Sequence, residues 1–218
     1  DIAGRTTSLT RTIVVDKTDP TISLDTDLSG WKTSQSLSVE GTASDVTSGI
    51  SKVEYTLDGN NWHQLPGTTA WNGTITVQDG ANTIEFRATD RAGNVSATVQ
   101  KLVNVDLANP ELTITSPSSL VRVNGLNALT VTANAKDNIS GVTSVEVKVG
   151  SLDFASPSAT ATRTTGTNKD GTWEATVPAS VLESLTGGEN YTVYVRATDT
   201  AGRTTDSTFS ILIDKTPP

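Results

Sequence analysis

Hydrophobic and polar residues alternate along the chain in short runs, and such runs predict β-strands rather than helices. Residues 37–43 alternate in this way and lead to Asp45, and residues 129–135 alternate in the same phase and lead to Asp137. The distance from the leading leucine to the aspartate is eight residues in both runs. The repeated register predicts two copies of one β fold.

A second repeat sets the limits of the copies. The motif D-x-A-G begins at Asp1, Asp90 and Asp199, and each copy is followed by a β-branched run that ends in an aspartate, namely Asp16, Asp106 and Asp214. The spacing between these closing aspartates, 90 and 108 residues, suits one small β-sandwich each. We therefore predict the last strand of a preceding repeat over residues 1–15, domains over residues 16–105 and 106–214, and a linker into a next repeat over residues 215–218.

Counting the runs gives about seven strands per copy, which predicts an all-β chain of two tandem immunoglobulin-like sandwiches. The apolar phase slips by one residue just after Ile50 and just after Val142, and this predicts a β-bulge at the same place in both copies. Residues 178–185 alone favour a short helix. Turns are predicted at five pairs that tolerate positive φ: Asp58-Gly59, Asn72-Gly73, Asp79-Gly80, Asn124-Gly125 and Asp170-Gly171.

Composition removes several classes of function. The chain has no cysteine, which excludes disulfides, thiol nucleophiles and zinc-finger sites. Its net charge is −8 and its 16 lysines and arginines form no basic stripe, so a nucleic-acid partner is not expected. No apolar stretch is long enough to insert into a membrane as a helix. Because the sequence has no methionine, its first residue is not a translation start, and any export signal lies elsewhere in the gene.

Several motifs together resemble bacterial Ig-like repeats. The first copy carries Gly30-Trp31-Lys32-Thr33-Ser34, Ala43-Ser44-Asp45, Ser48-Gly49-Ile50, residues 53–59 with Trp62, and residues 86–94. The second copy keeps Asp137, Ser140-Gly141-Val142 and Asp199-Thr200-Ala201-Gly202, but it lacks a counterpart of Trp31. Such repeats occur in large surface adhesins and as accessory modules of secreted polysaccharide-degrading enzymes. The resemblance implies the sandwich fold and an extracellular location at the bacterial cell surface.

The aspartates at strand ends are the strongest candidates for chemistry. In an Ig-like sandwich the second and sixth strands run the same way, so their ends meet at the pole where the chain enters. This predicts that the carboxylates converge in two groups at the domain junctions: Asp16, Asp45 and Asp90, and Asp106, Asp137 and Asp199. Calcium, which takes oxygen ligands, would relieve their repulsion. The alternative interpretation is that each aspartate caps its own turn.

Two other sets of residues are weaker candidates. Trp31, Trp62 and Trp71 could form a platform for stacking sugars, but Trp71 and Trp173 share the phase of inward-facing residues and are expected in the core. His63 is the only histidine, and no G-x-S-x-G elbow accompanies it, so a nucleophilic triad is not expected. The sequence therefore predicts a protein that is not an enzyme.

The preferred interpretation is a non-catalytic spacer segment, the stalk of a surface adhesin that presents a distal functional domain. Its partners would be neighbouring repeats of the same chain, with a host or matrix protein or a polysaccharide as further candidates. The alternative is a ligand- or carbohydrate-binding accessory module of a secreted polysaccharide-degrading enzyme. An exposed tryptophan cluster would favour the binding module, whereas buried tryptophans beside converging carboxylates would favour the spacer.

Overall fold

The structure is a computed structural model that describes residues 8–13, 15–118, 120–124 and 127–216. Within these ranges the chain forms seventeen strands and one short helix, and the sheets fall into two sets, called here the first and the second unit. Every strand ladder in these ranges lies either within residues 21–105 or within residues 111–213. The predicted all-β class is thus confirmed, while the domain limits at residues 16, 106 and 214 stay predictions.

The first unit contains eight strands, in chain order β1 (Thr21–Leu24), β2 (Trp31–Lys32), β3 (Ser36–Ser44), β4 (Ile50–Thr56), β5 (His63–Leu65), β6 (Ala70–Thr76), β7 (Gly80–Asp90) and β8 (Val99–Val105). They form a three-stranded sheet in the order β1-β3-β6 and a five-stranded sheet in the order β2-β8-β7-β4-β5. Strand β4 pairs antiparallel with both β5 and β7, whereas β2 runs parallel to β8.

The second unit contains nine strands and the helix, in chain order β9 (Glu111–Ser116), β10 (Val121–Val123), β11 (Leu129–Lys136), β12 (Val142–Val149), β13 (Ala159–Thr160), β14 (Thr162–Gly166), β15 (Asp170–Val177), α1 (Ala179–Glu183), β16 (Asn190–Asp199) and β17 (Thr204–Ile213). Its sheets have the orders β14-β15-β11-β9 and β10-β17-β16-β12-β13. As in the first unit, a very short strand, β10, runs parallel to the last strand.

The strand counts of eight and nine exceed the predicted seven. The excess comes from strands of two or three residues, such as β2, β10 and β13. A run this short cannot show a period-two pattern, so it leaves no trace in the alternation of the sequence. The short parallel strands cover part of the edge beside β8 and β17, an edge that would otherwise offer free backbone groups for pairing.

Each unit has its own hydrophobic core between its two sheets. Strand β3 alternates exposed and buried residues without interruption, as the sequence pattern predicts. Trp71 and Phe86 lie in the core of the first unit with ring centroids 5.5 Å apart, a tilted contact typical of aromatic pairs. Trp173 occupies the core of the second unit. The prediction that Trp71 and Trp173 are core residues is confirmed.

The predicted bulge is present in both units. The ladder between β4 and β7 slips between Ile50 and Lys52, and the ladder between β12 and β16 slips between Val142 and Ser144. In the second unit the extra residue is Thr143, whose hydroxyl donates to the carbonyl oxygens of Thr198 and Asp199 at 3.0 and 3.1 Å. The bulge lets Ile50 and Val53, three residues apart, both reach the core.

Two of the predicted turns are wrong. Asn72-Gly73 lies inside β6, and Asp170-Gly171 begins β15. Gly73 is needed because a β-carbon there would come within 2.6 Å of Leu65, so this glycine marks close packing rather than a turn. The positive φ of the hairpin before β15 belongs to Gly166. Of the remaining pairs, Gly59 and Gly80 have positive φ as predicted, and Gly125 lies outside the described residues.

The predicted helical segment contains α1, which packs on the second core through the fully buried Leu182. The helix has no side-chain cap at its start. At its end, the ammonium of Lys215 donates to the carbonyl oxygens of Glu183 and Leu185 at 2.7 and 2.6 Å. A lysine is favourable there because the last carbonyls of a helix lack partners within the helix.

The segment that precedes the first sheet shows no strand in its described part. Residues 8–13 and Val15 lack regular secondary structure, and Leu9, Ile13 and Val15 are more than two-thirds exposed. Its assignment as the last strand of a preceding repeat stays a prediction. The first copy of the D-x-A-G motif, Val14 and Pro217 lie outside the described residues.

The outer face of the five-stranded sheet in the first unit carries a buried glutamate. Glu54, which is 7% exposed, accepts hydrogen bonds from the ammonium of Lys52 at 2.7 Å and from Nε of Arg87 at 3.1 Å. The Arg87 guanidinium in turn lies 3.8 Å from the ring centroid of Trp62. Burial alone would raise the pKa of Glu54, but the hydrogen bonds from Lys52 and Arg87 outweigh it and lower the pKa.

Replacing Glu54 with glutamine is expected to cost about 1–2 kcal/mol of stability at pH 7, because two cationic partners lose their carboxylate. The pKa of Glu54 is lowered on folding, so its contribution is fully present above the ordinary glutamate pKa. That contribution is lost as the pH falls through the lowered value. Urea denaturation at pH 7 and pH 3 should show a smaller gap between wild type and Glu54→Gln at pH 3.

Glu146→Gln is the matched control for this prediction. Glu146 pairs with Arg196 in the same cross-strand register as Glu54 with Arg87. Arg196, however, makes its salt bridge with Asp206, at 2.7 Å. The control should therefore change stability by less than about 0.5 kcal/mol. A cost for Glu54→Gln that is equally small, or that does not depend on pH, would contradict the role given to the buried glutamate.

Candidate metal centres

The first group of carboxylates, Asp16, Asp45 and Asp90, is brought together within the first unit and is called here the first triad. Asp16 lies in the extended segment before β1, Asp45 directly follows β3, and Asp90 ends β7. One carboxylate oxygen from each lies within 4.8 Å of the other two. Asp90 is buried, whereas Asp16 and Asp45 are half-buried.

The second group, Asp106, Asp137 and Asp199, forms the equivalent second triad within the second unit. Asp106 directly follows β8, Asp137 directly follows β11, and Asp199 ends β16. Its carboxylate oxygens obey the same 4.8 Å limit. All three side chains are buried, with exposures of 0%, 4% and 2%. The strand ends therefore meet as the topology of the sandwich predicts.

Both triads contain an aspartate that caps a turn. Oδ2 of Asp45 accepts hydrogen bonds from the backbone N–H groups of Ser48 at 2.7 Å and Gly49 at 2.9 Å. Oδ1 of Asp137 accepts from those of Ile139 at 3.0 Å and Gly141 at 2.8 Å. Turn capping, one of the two interpretations from sequence, is thus a fact of the geometry. The backbone bonds fall on a single oxygen of each aspartate, so capping does not exclude a cation.

The bulge places the last aspartate of each triad. Asp90 pairs with Ile50 and Asp199 pairs with Val142, and in both ladders the register slips immediately beyond that pair. The backbone N–H of Asp90 bonds to the carbonyl oxygen of Asn94 across a tight turn, and that of Asp199 bonds to the carbonyl oxygen of Arg203. The aspartate is therefore held between a bulge and a tight turn.

The two triads differ at the residue four positions after the last aspartate. In the first unit this residue is Asn94, whose side-chain amide donates to Oδ2 of Asp90 at 2.8 Å. In the second unit it is Arg203, whose Nε donates to the main-chain oxygen of Asp106 at 2.8 Å. Oδ1 of Asp199 accepts from the backbone N–H of Arg203, but its Oδ2 has no hydrogen-bond partner.

Unpartnered buried oxygens lie in both triads. They are Oδ2 of Asp16 in the first triad, and Oδ2 of Asp199 with the neighbouring hydroxyl of Ser140 in the second. The backbone N–H of Ser140 donates to Oδ2 of Asp106 at 3.2 Å, which places this serine beside the second triad. A buried oxygen without a donor is costly, and a bound ion or water is a common partner for one.

The electrostatics follow from these contacts. Burial raises the pKa of Asp199, and the charges of Asp106 and Asp137 raise it further. For Asp90 burial acts in the same direction, but hydrogen bonds from Asn94 and Gly93 outweigh it and lower the pKa. The backbone hydrogen bond from Gly49 is the largest influence that lowers the pKa of Asp45.

The all-oxygen donor set of each triad fits calcium and other hard cations. Calcium binds oxygen at about 2.4 Å, so two of its ligands can be at most about 4.8 Å apart, and both triads meet this limit. Zinc and copper sites are built largely from histidine and cysteine ligands, and neither residue type is present in the triads. Each triad offers three carboxylates, and backbone carbonyls and water would complete the ~6–8 ligands that calcium takes.

The other candidates from sequence do not form a site. Trp71 and Trp173 are buried, and the half-buried Trp62 has the Arg87 guanidinium against its ring. His63 is exposed on β5, where its ring contacts that of Tyr55 with centroids 5.4 Å apart. A depression of about 620 Å³ on the first unit is lined by Asp25, Thr26, Asp27, Ser38, Val39, Glu40, Asn72, Gly73 and Thr74. No aromatic ring lines it.

Sequence reasoning named the six aspartates but missed Ser140 and the difference between Asn94 and Arg203. The sequence shows this difference, because the motif is D-R-A-G-N in the first unit and D-T-A-G-R in the second. Its effect depends on where each side chain turns, and that is set by the tertiary fold.

No helix among the described residues has the length and apolar character needed to cross a membrane.

Comparison with known proteins found similar solved structures and one family match. Similar solved structures include the fibronectin(III)-like modules of Clostridium thermocellum CbhA, with 17% identity over 89% of this chain and 94% of that chain and a TM-score of 0.45. A 1.5-MDa bacterial ice-binding adhesin has 20% identity over 90% of this chain and 65% of that chain, with a TM-score of 0.36.

A third similar structure is a tetra-tandem repeat from the extending region of a large adhesion protein. Its identity is 24% over 90% of this chain and 49% of that chain, with a TM-score of 0.34. The search of curated proteins found no match. Residues 110–188 match the family of the bacterial Ig domain, which confirms the resemblance to bacterial Ig-like repeats seen in the sequence motifs.

Proposed function

We propose that the chain is a pair of non-catalytic spacer domains of an exported bacterial surface protein, the stalk of an adhesin that presents a distal functional domain. The observation that carries this proposal is the burial of both core tryptophans while the carboxylates converge at the strand ends. A spacer needs both features. Buried tryptophans contribute to a stable core, and converging carboxylates give a place where a cation would hold the entering segment. The bacterial Ig domain match over residues 110–188 supports the same class.

Calcium completes the proposed function. Asp16 and Asp106 lie in the extended segments that precede the first strand of each unit, and their triad partners lie at strand ends of the same unit. A cation in each triad would tie the entering segment to those strand ends and neutralise part of the repulsion among three carboxylates. The entering segment would then be held to its unit by metal coordination as well as by backbone hydrogen bonds.

The alternative is a carbohydrate-binding accessory module of a secreted enzyme. Sugar platforms use exposed aromatic rings as stacking surfaces, and every tryptophan, tyrosine and phenylalanine among the described residues is buried or half-buried, with Trp62 also covered by Arg87. The depression on the first unit is lined by three carboxylates and lacks an aromatic ring. Polysaccharide and host or matrix protein remain proposed partners of the parent protein, and the location remains its extracellular surface.

A glycan array is expected to show no saturable binding to the chain at millimolar ligand, because the described surface lacks a stacking platform. The positive control is an established carbohydrate-binding domain on the same array. In the same preparation, single-molecule pulling with calcium present should give two unfolding events, one per unit. Saturable glycan binding that is lost in Trp62→Ala but kept in Trp173→Phe would reject the spacer proposal and favour the accessory module.

A further inference from the structure

We propose that the two triads are unequal calcium sites, and that the residue four positions after the last aspartate, Asn94 or Arg203, sets the difference. On this proposal the second triad binds calcium more tightly and depends on it more. The inference rests on the proposed calcium binding and adds to it a residue that determines affinity. The inference starts from the hydrogen bond that the Asn94 amide donates to Asp90 in the first triad, which has no counterpart in the second triad.

In the first triad the Asn94 amide occupies a carboxylate oxygen that a cation would use. Its nitrogen lies 2.8 Å from Oδ2 of Asp90 and 3.4 Å from the main-chain oxygen of Asp16. Both neighbours are acceptors, so the amide must present its N–H groups to them rather than its oxygen. Calcium at Asp90 therefore has to displace a donor that already compensates the carboxylate.

In the second triad no side chain takes this place. The Arg203 guanidinium is turned away, with Nε bonded to the main-chain oxygen of Asp106 at 2.8 Å and one terminal nitrogen 3.4 Å from Oδ1 of Asn109. Oδ2 of Asp199 and the hydroxyl of Ser140 are left buried without partners. A cation would meet these two free oxygens there, against the single Oδ2 of Asp16 in the first triad, and would displace no side-chain donor.

Solvent exposure acts in the same direction. Asp16 and Asp45 are half-buried, so water can solvate part of the charge of the first triad when calcium is absent. In the second triad all three carboxylates are at most 4% exposed. Charges taken out of water without a counter-charge are costly, so the second triad gains more from a cation than the first.

The test is a calcium titration of the full chain followed by ¹⁵N–¹H correlation spectra. Glycine amides report on each triad separately, because Gly49 and Gly93 donate to the first triad and Gly141 donates to the second. In wild type the Gly141 signal should reach saturation at a calcium concentration about tenfold lower than the other two, the factor expected for one charge-assisted hydrogen bond.

Two variants separate the explanations. Arg203→Asn should weaken the Gly141 response about tenfold and leave Gly49 and Gly93 as internal controls. Asn94→Ala should strengthen the response of Gly49 and Gly93. A weaker response in Asn94→Ala would show that the amide turns its oxygen to the ion as a ligand, which overturns the proposal. Because Arg203 also holds the main chain of Asp106, Arg203→Lys serves as a second variant, and it should retain wild-type affinity.

The outcomes distinguish this inference from the function on which it rests. Equal saturation of all three glycine signals in wild type would reject the inequality and leave calcium binding standing. No shift of any glycine signal at millimolar calcium would reject calcium binding and the inequality together. Retention of the wild-type difference in Arg203→Asn would reject the assigned role of this position.

Discussion

Calcium is expected to raise the melting temperature of the chain by about 10 °C when free calcium is one hundred times the dissociation constant. Binding at that concentration adds about 2.7 kcal/mol to the stability of the folded state, and a unit of this size melts about 4 °C higher for each kcal/mol. The physical source is the relief of repulsion among three carboxylates at each strand-end cluster. EGTA should reverse the increase, and calorimetry should show binding directly.

Asp199→Asn tests the second triad most sharply. The amide nearly preserves the shape of the side chain and removes one of three buried negative charges, so stability in EGTA should stay the same or rise. The calcium increment of the second unit should be lost. Asp137→Ala and Asp45→Ala should lower stability in EGTA as well, because each removes a turn cap and the loss of a cap costs about 1 kcal/mol.

Asp58→Ala is the matched control, since this aspartate caps a turn outside both triads. Its Oδ1 accepts from the backbone N–H groups of Asn60 at 2.9 Å and Asn61 at 2.7 Å, which lower its pKa. The variant should lose stability with and without calcium and keep the full calcium increment. If EGTA leaves the wild-type melting temperature unchanged and calorimetry detects no binding at millimolar calcium, the six aspartates are turn caps alone.

Gly41→Ala is expected to lower the free energy of unfolding by about 3 kcal/mol. Gly41 lies in the middle of β3, where it pairs with Leu24 on one side and with Trp71 on the other. A β-carbon at this position would overlap the carbonyl oxygen of Ser23 and the ring of Trp71. Neither can give way easily, because one is backbone in a ladder and the other is fully buried.

Gly187→Ala provides the matched control for the glycine substitution. A β-carbon there would meet only the side chain of Lys215, at 3.2 Å, a distance that a shift of a few tenths of an ångström relieves. Its cost should stay below about 1 kcal/mol, since the backbone of Gly187 does not have the positive φ that disfavours alanine. Urea denaturation with Trp fluorescence measures both. Equal costs for the two variants would mean that the Trp71 ring is not held against β3.

The strand register, the bulges and the core tryptophans could be predicted because alternation records which face of a sheet each residue occupies. The convergence of the aspartates in two groups was predictable for a topological reason, since strands that run the same way end at the same pole. The short strands β2 and β10 were not, because two or three residues show no period. The Asn72-Gly73 pair was wrongly predicted to be a turn. Gly73 is a glycine because it packs closely against Leu65, and a tertiary contact of this kind leaves no local sequence pattern.

The site was less predictable than the fold. Both interpretations of Asp45 and Asp137 were open from sequence, and capping is now seen in the geometry, whereas the cation stays a proposal. The orphaned oxygen of Asp199 could not be foreseen, since it depends on the direction in which the Arg203 side chain turns. Side-chain direction at a turn is decided by long-range neighbours rather than by the motif.

The bulge beside each triad has an evolutionary consequence. Side chains of a strand alternate with a period of two. A one-residue deletion at Ser51 or Thr143 would therefore move the side chains on one side of the bulge to the opposite face of the sheet. Repeats that diverge from this chain can therefore exchange residues between Asp45 and Lys52 but cannot easily change the number of them. Length can change more easily in residues 151–155, which lie between β12 and β13 outside any ladder. Individual repeats should accordingly acquire their differences at that loop, while the spacing around the aspartates persists.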